Sequence, residues 1–361
     1  MRYGGLHLAG QLSGGEELEV PLYWVRDDAV PDHGAPDHAG NRLVVAPLAT
    51  SSGSRRLTHD AGRDRIAALY DRALRLAHVE HPALPRLVES MAPELPEPFL
   101  AWGVAGAHDQ NLRDVIDRAT IELATATRIV LQIAAALEAL HAAGEVHGGI
   151  CPANVLVDME HTVSLVGVGL ASTRVPAAAL PPMVARYRAP EQLSLGRGAI
   201  DPRSDVFAVG TILYELVHGQ PAFPGATLPE LEAAMASGPP TSKGHRLAAL
   251  GDSIREPLDR VLRRALQLDP ADRFRTAGEL ARCLRELLDQ LEPERRPTGG
   301  VVQEARLVVP PAHGSTRTGG KLADRRRELS REAEPLPRSL WLVPAVVLLV
   351  LVAMLLAMWL R

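Results

Sequence analysis

HGGICPANVLVD (147–158) is the segment of this chain that decides its fold, and four further segments follow it. They are LVGVGLAS (165–172), APEQL (189–193), DPRSDVFAVG (201–210) and DPADRFRTAGEL (269–280). A helical pattern that ends near Gly144 precedes the first segment. One short motif is weak evidence for a family, but five motifs in a fixed order along one chain are specific.

The apolar pattern around these motifs predicts an α+β fold with two lobes. Residues 1–104 contain short alternating or apolar runs, such as 42–48, around one helical stretch at 63–78, which is typical of a small β-rich lobe. Residues 105–291 have helical periods instead, as at 127–141, which predicts a larger helical lobe. Two such lobes leave a cleft between them, where ligands commonly bind.

The carboxyl end predicts one transmembrane helix at 340–360, because this run is apolar and uncharged. At about 1.5 Å per residue it spans about 31 Å, against a hydrocarbon thickness of about 30 Å. Residues 292–339 are rich in Pro, Gly, Arg and Glu, which predicts a flexible cytoplasmic linker. Arginines before the apolar run predict a single-pass membrane protein whose amino-terminal bulk is cytoplasmic. These arginines are Arg325, Arg326, Arg327, Arg331 and Arg338.

The overall composition excludes several other classes of protein. Apolar residues make up 46% and charged residues 23% of the chain, so a wholly disordered chain is excluded. The net charge of −4 gives no electrostatic reason to expect nucleic acid as a partner. Two distant cysteines cannot build a disulfide framework. Lys243 and Lys321 are the only lysines, so the first two-thirds of the chain contains none.

The five motifs resemble those of the eukaryotic-type serine/threonine protein kinases, specifically the bacterial membrane-anchored branch, over about residues 3–291. In that family the catalytic loop reads H-R-D-x-x-x-x-N, and its Asp accepts the proton of the substrate hydroxyl. The resemblance implies that His147 is retained and that Asn154 is retained as a residual metal ligand. Gly149 replaces the catalytic Asp, and Cys151 replaces the lysine of the loop. Gly167 replaces the Asp that holds magnesium in the D-F-G motif. No catalytic residue set is therefore intact.

The phosphate-binding parts of the small lobe are also altered. The strand RLVVAPLA (42–49) resembles the family's V-A-I-K strand, with Leu48 in place of the phosphate-binding lysine. No neighbouring strand can supply a lysine, although Arg26 is a candidate substitute. The glycine-rich loop is reduced to Gly14 and Gly15 beside two glutamates, which would repel a triphosphate.

Several regulatory positions of the family also lack the residue that the family normally has there. The helical glutamate that pairs with the missing lysine falls near Asp71 and Arg72. Gly148 replaces the arginine that reads activation-segment phosphate. The segment 174–186 has no Ser, Thr or Tyr, and Val184 stands where a threonine normally lines the substrate site. Both the phosphate acceptor and its reader are therefore missing.

The resemblance also assigns residues to an adenine pocket and to the scaffold of the helical lobe. Ala46 and Leu156 match the apolar residues that sandwich adenine, and the backbone near Trp102 and Val104 matches the hinge. His147 is assigned to packing rather than catalysis. Four further residues match structural positions: Glu191 and Arg273 as a buried ion pair, Asp205 as an acceptor for the catalytic-loop backbone, and Gly210 as a close helix contact.

These substitutions lead to the hypothesis of a pseudokinase, a kinase fold retained for binding rather than catalysis. Loss of base, metal carboxylate and phosphate lysine, at about 3 kcal/mol each, predicts a rate loss of roughly a millionfold. The expected role is a membrane-tethered signalling scaffold or allosteric partner that docks another signalling protein, such as an active kinase. No cofactor is required; weak ATP binding stays open, and a tightly held magnesium ion is not expected.

Two other functions stay open at this level. One is an active serine/threonine protein kinase with remodelled ligands, which would use Asn154, Asp158 and water around an unusual metal site. The other is a small-molecule sensor that binds its ligand in the vacated cleft. Cys151 is interpreted as a small buried replacement for lysine, with a reactive thiol as the alternative.

Overall fold

The structure is a computed structural model, and part of the chain lies outside its description. It describes residues 2–3, 6–11, 22–25, 42–47, 59–91, 99–104, 110–118, 120–168, 180–193, 200–240 and 251–293. Several predictions fall outside these residues, namely those on Gly14, Gly15, Arg26, Leu48, the linker beyond residue 293 and the transmembrane helix at 340–360.

The described part of the β-rich lobe contains six antiparallel strands and one helix. The sheet has the order β1-β2-β3-β4-β6-β5. Its strands are β1 (Arg2–Tyr3), β2 (Leu6–Gln11), β3 (Tyr23–Val25), β4 (Arg42–Pro47), β5 (Arg86–Met91) and β6 (Phe99–Val104). Strand β6 lies between β4 and β5 and is buried at almost every position, which is why it reads as a continuous apolar run. Helix α1 (His59–Leu76) packs Ala73 and Tyr70 against this sheet.

Seven helices and a small sheet make up the described part of the helical lobe. The helices are α2 (Leu112–Arg118), α3 (Leu123–Ala142), α4 (Pro182–Ala185), α5 (Pro202–His218), α6 (Leu228–Ala236), α7 (Asp252–Ala265) and α8 (Ala277–Leu291). Strands β7 (Gln110–Asn111), β8 (Val155–Val157) and β9 (Val163–Leu165) pair antiparallel in that order. Ile129, Ile133 and Leu137 of α3 are completely buried at the centre of the lobe. The α+β organisation predicted from the sequence is therefore confirmed.

Local sequence signals explain where the main helices begin and end. Helix α5 starts after Asp201, whose carboxylate accepts the Arg203 backbone N–H, and Pro202 occupies the first turn. It ends at Gly219, whose φ of 70° is the left-handed conformation that favours glycine. The amphipathic pattern at 63–78 predicts α1, which begins four residues earlier and ends at Leu76. The three-residue strands β8 and β9 are too short for periodicity to detect.

Among the residues that the structure describes, α3 is the one helix long and apolar enough to cross a membrane. More than half of its most apolar stretch is buried inside the protein, against α5 and α8. Packing in the core therefore accounts for its apolar composition. The anchor predicted at 340–360 remains a prediction.

Candidate functional site

The loop between α3 and β8 carries the altered catalytic motif, and Asp205 holds its backbone. The buried carboxylate of Asp205, in the first turn of α5, accepts the backbone N–H groups of His147 at 2.8 Å and Gly148 at 2.7 Å. Its Oδ2 also lies 2.8 Å from His141 Nε2. Two of these hydrogen bonds hold the loop backbone at 147 and 148, and the third joins the same carboxylate to α3.

His147 is a buried packing residue in this loop. Burial lowers its pKa to about 4; the Asp205 carboxylate opposes that shift, and the guanidinium groups of Arg72 and Arg188 add to it. The imidazole is therefore neutral at neutral pH. It has no exposed surface and cannot reach a substrate in solvent.

Gly148 is held by side chains from another part of the lobe. Gly148 has a φ of 70°, and its carbonyl accepts hydrogen bonds from Arg188 Nη1 and, at 2.7 Å, from Gln192 Nε2. Arg188 is buried, and the sequence analysis missed its role. An arginine inside the apolar context ARYRAP (185–190) was the available signal, because a charge there needs a partner.

Asn154, the expected residual metal ligand, is engaged at both ends of its amide. Its Nδ2 donates to the Gly149 carbonyl at 2.8 Å, and its Oδ1 accepts the Cys151 N–H at 3.1 Å. Magnesium in proteins is usually held by one or two carboxylates with water and phosphate oxygens. Gly149 and Gly167 supply no carboxylate beside Asn154, and the described residues contain no cluster of acidic, His or Cys side chains suited to a metal. The residues described here do not fit a magnesium site.

Cys151 is almost completely buried in the core of the helical lobe. The thiol stands where the resemblance places a lysine, without solvent access. This agrees with its interpretation as a packing residue.

Leu22 occupies the space in front of Gly167. A Cβ built on Gly167, whose φ is 79°, would stand 3.9 Å from Leu22 Cδ1 and 3.8 Å from Asn154 Cβ. Leu22 comes directly before β3 and is only 1% exposed. A residue of the β-rich lobe therefore contacts the altered D-F-G segment of the helical lobe.

The residues assigned to the adenine pocket are covered by protein. Ala46, Val104 and Leu156 each have 0% exposure and join one apolar cluster with Leu22 and Trp102. The structure therefore brings the predicted adenine-pocket residues together with Leu22 in one buried apolar cluster.

Helix α1 presents Arg72 to the catalytic-loop side of the cleft. Its Nε lies 3.1 Å from Glu145 Oε2, and its Nη2 donates to the Val146 carbonyl. Asp71, the other residue near the expected glutamate position, is exposed. A cation on α1 therefore pairs with an acid next to the loop.

The four residues assigned to the scaffold lie in the helical lobe. Arg273 and Glu191 form a buried bidentate ion pair, at 2.7 Å and 2.8 Å. Arg273 also donates to the backbone carbonyls of Gln267, Leu268 and Arg203. On α5, a Cβ built on Gly210 would stand 2.8 Å from Ala265 Cβ, so the close approach of α5 and α7 requires glycine there.

A second buried polar network was missed by sequence reasoning. Arg113 Nη1 donates to Glu215 Oε1 at 2.9 Å and to Tyr187 Oη at 3.1 Å, and the Tyr187 hydroxyl donates to Glu215. Burial first, and the Glu215 carboxylate second, raise the pKa of Tyr187 well above its usual range. The hydroxyl therefore remains a donor, and the network ties the segment before APEQL to α2 and α5.

A family model and several curated proteins match this chain, and all of them are described as protein kinases. The family model described as Protein kinase domain matches residues 73–283, more than half of the chain. A probable serine/threonine-protein kinase of Corynebacterium efficiens is 31% identical over 218 residues, covering 58% of this chain and 33% of that protein. The probable serine/threonine-protein kinase PknB of Corynebacterium glutamicum is 29% identical over 221 residues, covering 59% and 34%. The chain spans about a third of the length of these curated relatives.

A solved structure has a similar fold. The kinase domain of Mycobacterium tuberculosis PknI superposes with a TM-score of 0.53 at 22% sequence identity. The alignment covers 80% of this chain and 98% of that one.

Proposed function

Because this chain belongs to the protein kinase domain family and has its fold, we propose that it is a pseudokinase that binds a signalling partner. The observation that carries the proposal is the altered cleft. Gly149 and Gly167 supply no carboxylates, and Leu22 packs in front of Gly167. Phosphoryl transfer depends almost entirely on positioning and on neutralising charge, so a cleft without those charges is suited to another use.

The retained scaffold supports a binding role. Asp205 still holds the loop backbone, and the Arg273–Glu191 ion pair still links the APEQL segment to the segment before α8. These contacts keep the outer surfaces of the lobe in a defined shape without contributing to catalysis. We propose that such a surface docks another signalling protein, with an active kinase as the first candidate.

A transfer assay tests the proposal. Purified full-length protein in detergent is incubated with radiolabelled γ-phosphate ATP, a generic protein substrate, and magnesium or manganese. We expect no labelling above that of the matched Asn154→Ala variant. Robust labelling by the parent chain that disappears in Asn154→Ala would contradict the proposal.

Nucleotide binding is tested separately, by thermal denaturation with ATP in the presence and absence of magnesium. The proposal predicts little or no magnesium-dependent stabilisation, because the covered residues Ala46, Val104 and Leu156 give the base no access. A strong magnesium-dependent shift would favour the second candidate below.

The second candidate is an active serine/threonine protein kinase, which is favoured by the relatives in Corynebacterium, both named as probable serine/threonine-protein kinases. It needs an alternative metal ligand, and Asp158 was the candidate in the sequence. Asp158 Oδ1 accepts the backbone N–H groups of Glu160 at 2.9 Å and Thr162 at 2.7 Å, so it caps the turn between β8 and β9. The transfer assay distinguishes the two candidates. A small-molecule sensor requires an open cleft, which the buried Leu22 does not favour.

We also propose that the chain is anchored in a membrane by the helix at 340–360, with the kinase-like part in the cytoplasm. The support is the uncharged apolar run and the arginines before it. Fractionation of cells that express the full chain or a variant lacking 340–360 tests this proposal. We expect only the full chain in the membrane fraction after a high-salt wash.

A further inference from the structure

Helix α1 is bonded to the start of the catalytic loop by two arginines that share one carboxylate. Arg72 Nε lies 3.1 Å from Glu145 Oε2, and Arg75 Nε lies 3.4 Å from Glu145 Oε1. Arg72 Nη2 also donates to the carbonyl of Val146, the residue before His147. Three contacts therefore join α1 to a segment that lies 70 to 74 residues away along the chain.

The Arg72–Glu145 pair differs from ordinary surface ion pairs by its burial. These two side chains are 18% and 21% exposed, whereas Arg75 is 62% exposed. Exposed pairs contribute little to stability, whereas removal of one partner from a sheltered pair leaves an uncompensated charge. The Arg86–Glu80 pair, with both side chains 76% exposed, provides an exposed comparison in the same lobe.

Leu22 makes a second contact between the lobes. It packs against Ala46 and Leu156 in one apolar cluster and reaches the surroundings of Gly167. The ionic contact and the apolar contact involve different elements of the β-rich lobe.

We propose that Arg72, Arg75 and Glu145 form a clamp that holds helix α1 against the catalytic-loop segment 145–149. The clamp fixes the orientation of α1 through contacts within the chain. The clamp concerns conformation, so it is independent of whether the chain transfers phosphate.

Hydrogen–deuterium exchange of the full-length protein in detergent tests the clamp. Glu145→Gln keeps the shape of the side chain but removes the negative charge that Arg72 and Arg75 share. We expect amide exchange at 67–76 and 145–149 to rise by about tenfold in this variant, because local opening becomes easier. The matched control is Glu80→Gln, which removes the same charge from the exposed pair and should leave exchange at these segments unchanged.

Two further measurements distinguish a local opening of α1 from a general loss of stability. The exchange of α8 amides reports on global opening and should change less than that of α1 in Glu145→Gln. The charge-swapped double variant Arg72→Glu with Glu145→Arg should recover part of the protection that each single variant loses. Equal exchange at α1 in Glu145→Gln and Glu80→Gln would overturn the proposal.

Addition of magnesium and ATP to the parent chain completes the test. The clamp predicts that exchange at 67–76 stays within twofold of its nucleotide-free value. A nucleotide-dependent slowing at α1 of tenfold or more would show that the helix is not already fixed, and would overturn the clamp whatever the transfer assay reports.

Discussion

Replacement of Leu22 by alanine should open the cleft that this side chain fills. Leu22 is 1% exposed and packs with Ala46, Leu156 and Trp102. Truncation of a buried leucine to alanine costs about 2–5 kcal/mol, depending on how far the site collapses. At about 2–4 °C per kcal/mol for domains of about 150–250 residues, the melting temperature should fall by at least about 4 °C.

The cavity left by Leu22→Ala should also have a ligand preference. It would be lined by Ala46, Val104 and Leu156, which are fully covered in the parent chain. A flat uncharged heterocycle such as adenosine matches such a cavity, and binding at a hundredfold excess over Kd would restore about 2.7 kcal/mol. Leu137→Ala, in the centre of α3, is the matched control, because it removes the same atoms far from the cleft.

The assay is thermal denaturation of the parent chain, Leu22→Ala and Leu137→Ala over an adenosine titration without magnesium. We expect both variants to lose stability and only Leu22→Ala to recover part of it with adenosine. Equal stabilisation of the parent chain and Leu22→Ala would refute the reasoning, because it would mean that Leu22 does not block the site.

Three other substitutions test the scaffold. Arg273→Met leaves the buried carboxylate of Glu191 unpaired and should cost about 3–5 kcal/mol in chemical denaturation, whereas Arg273→Met with Glu191→Met should cost less. Gly210→Val should cost about 1–3 kcal/mol, measured in the same way, because its Cβ would stand 2.8 Å from Ala265 Cβ. The pKa of His147 is about 4 in the folded protein, below the unfolded value of 6.5, so its neutral form is favoured on folding. Stability should therefore be fully present above pH 6.5 and decline as the pH falls toward 4, by up to about 1.4 kcal/mol per pH unit. His147→Gln should flatten that decline in denaturation measured from pH 7 to pH 4.5, and an unchanged slope would contradict this assignment.

Much of the fold was predictable from local patterns. The apolar run at 42–48 corresponds to β4, and the period at 127–141 lies within α3. Both patterns are strong because one element is buried on nearly all sides and the other is a long core helix. The short strands β7 to β9 escaped detection, since two or three residues carry no period.

The candidate site also has one part that the sequence predicts and one part that it does not. Gly149, Gly167 and Cys151 can be recognised in the sequence as losses of charge, because a side chain's chemistry is a property of the residue itself. The contacts that the altered loop makes with distant residues cannot be recognised in this way. Arg188 bonds to Gly148 across 40 positions, and Arg72 bonds to Glu145 across 73.

The sequence by itself therefore determined which charged groups are missing and which scaffold residues remain. The tertiary structure alone decided that Leu22 joins the apolar cluster beside Gly167 and that two arginines of α1 share the carboxylate of Glu145. The physical reason is that residue identity and helical or strand periodicity are local, whereas burial and ion pairing depend on which distant segments pack together. A missing carboxylate can be recognised at its own position, but the side chain that occupies its place is selected by the packing of the whole domain.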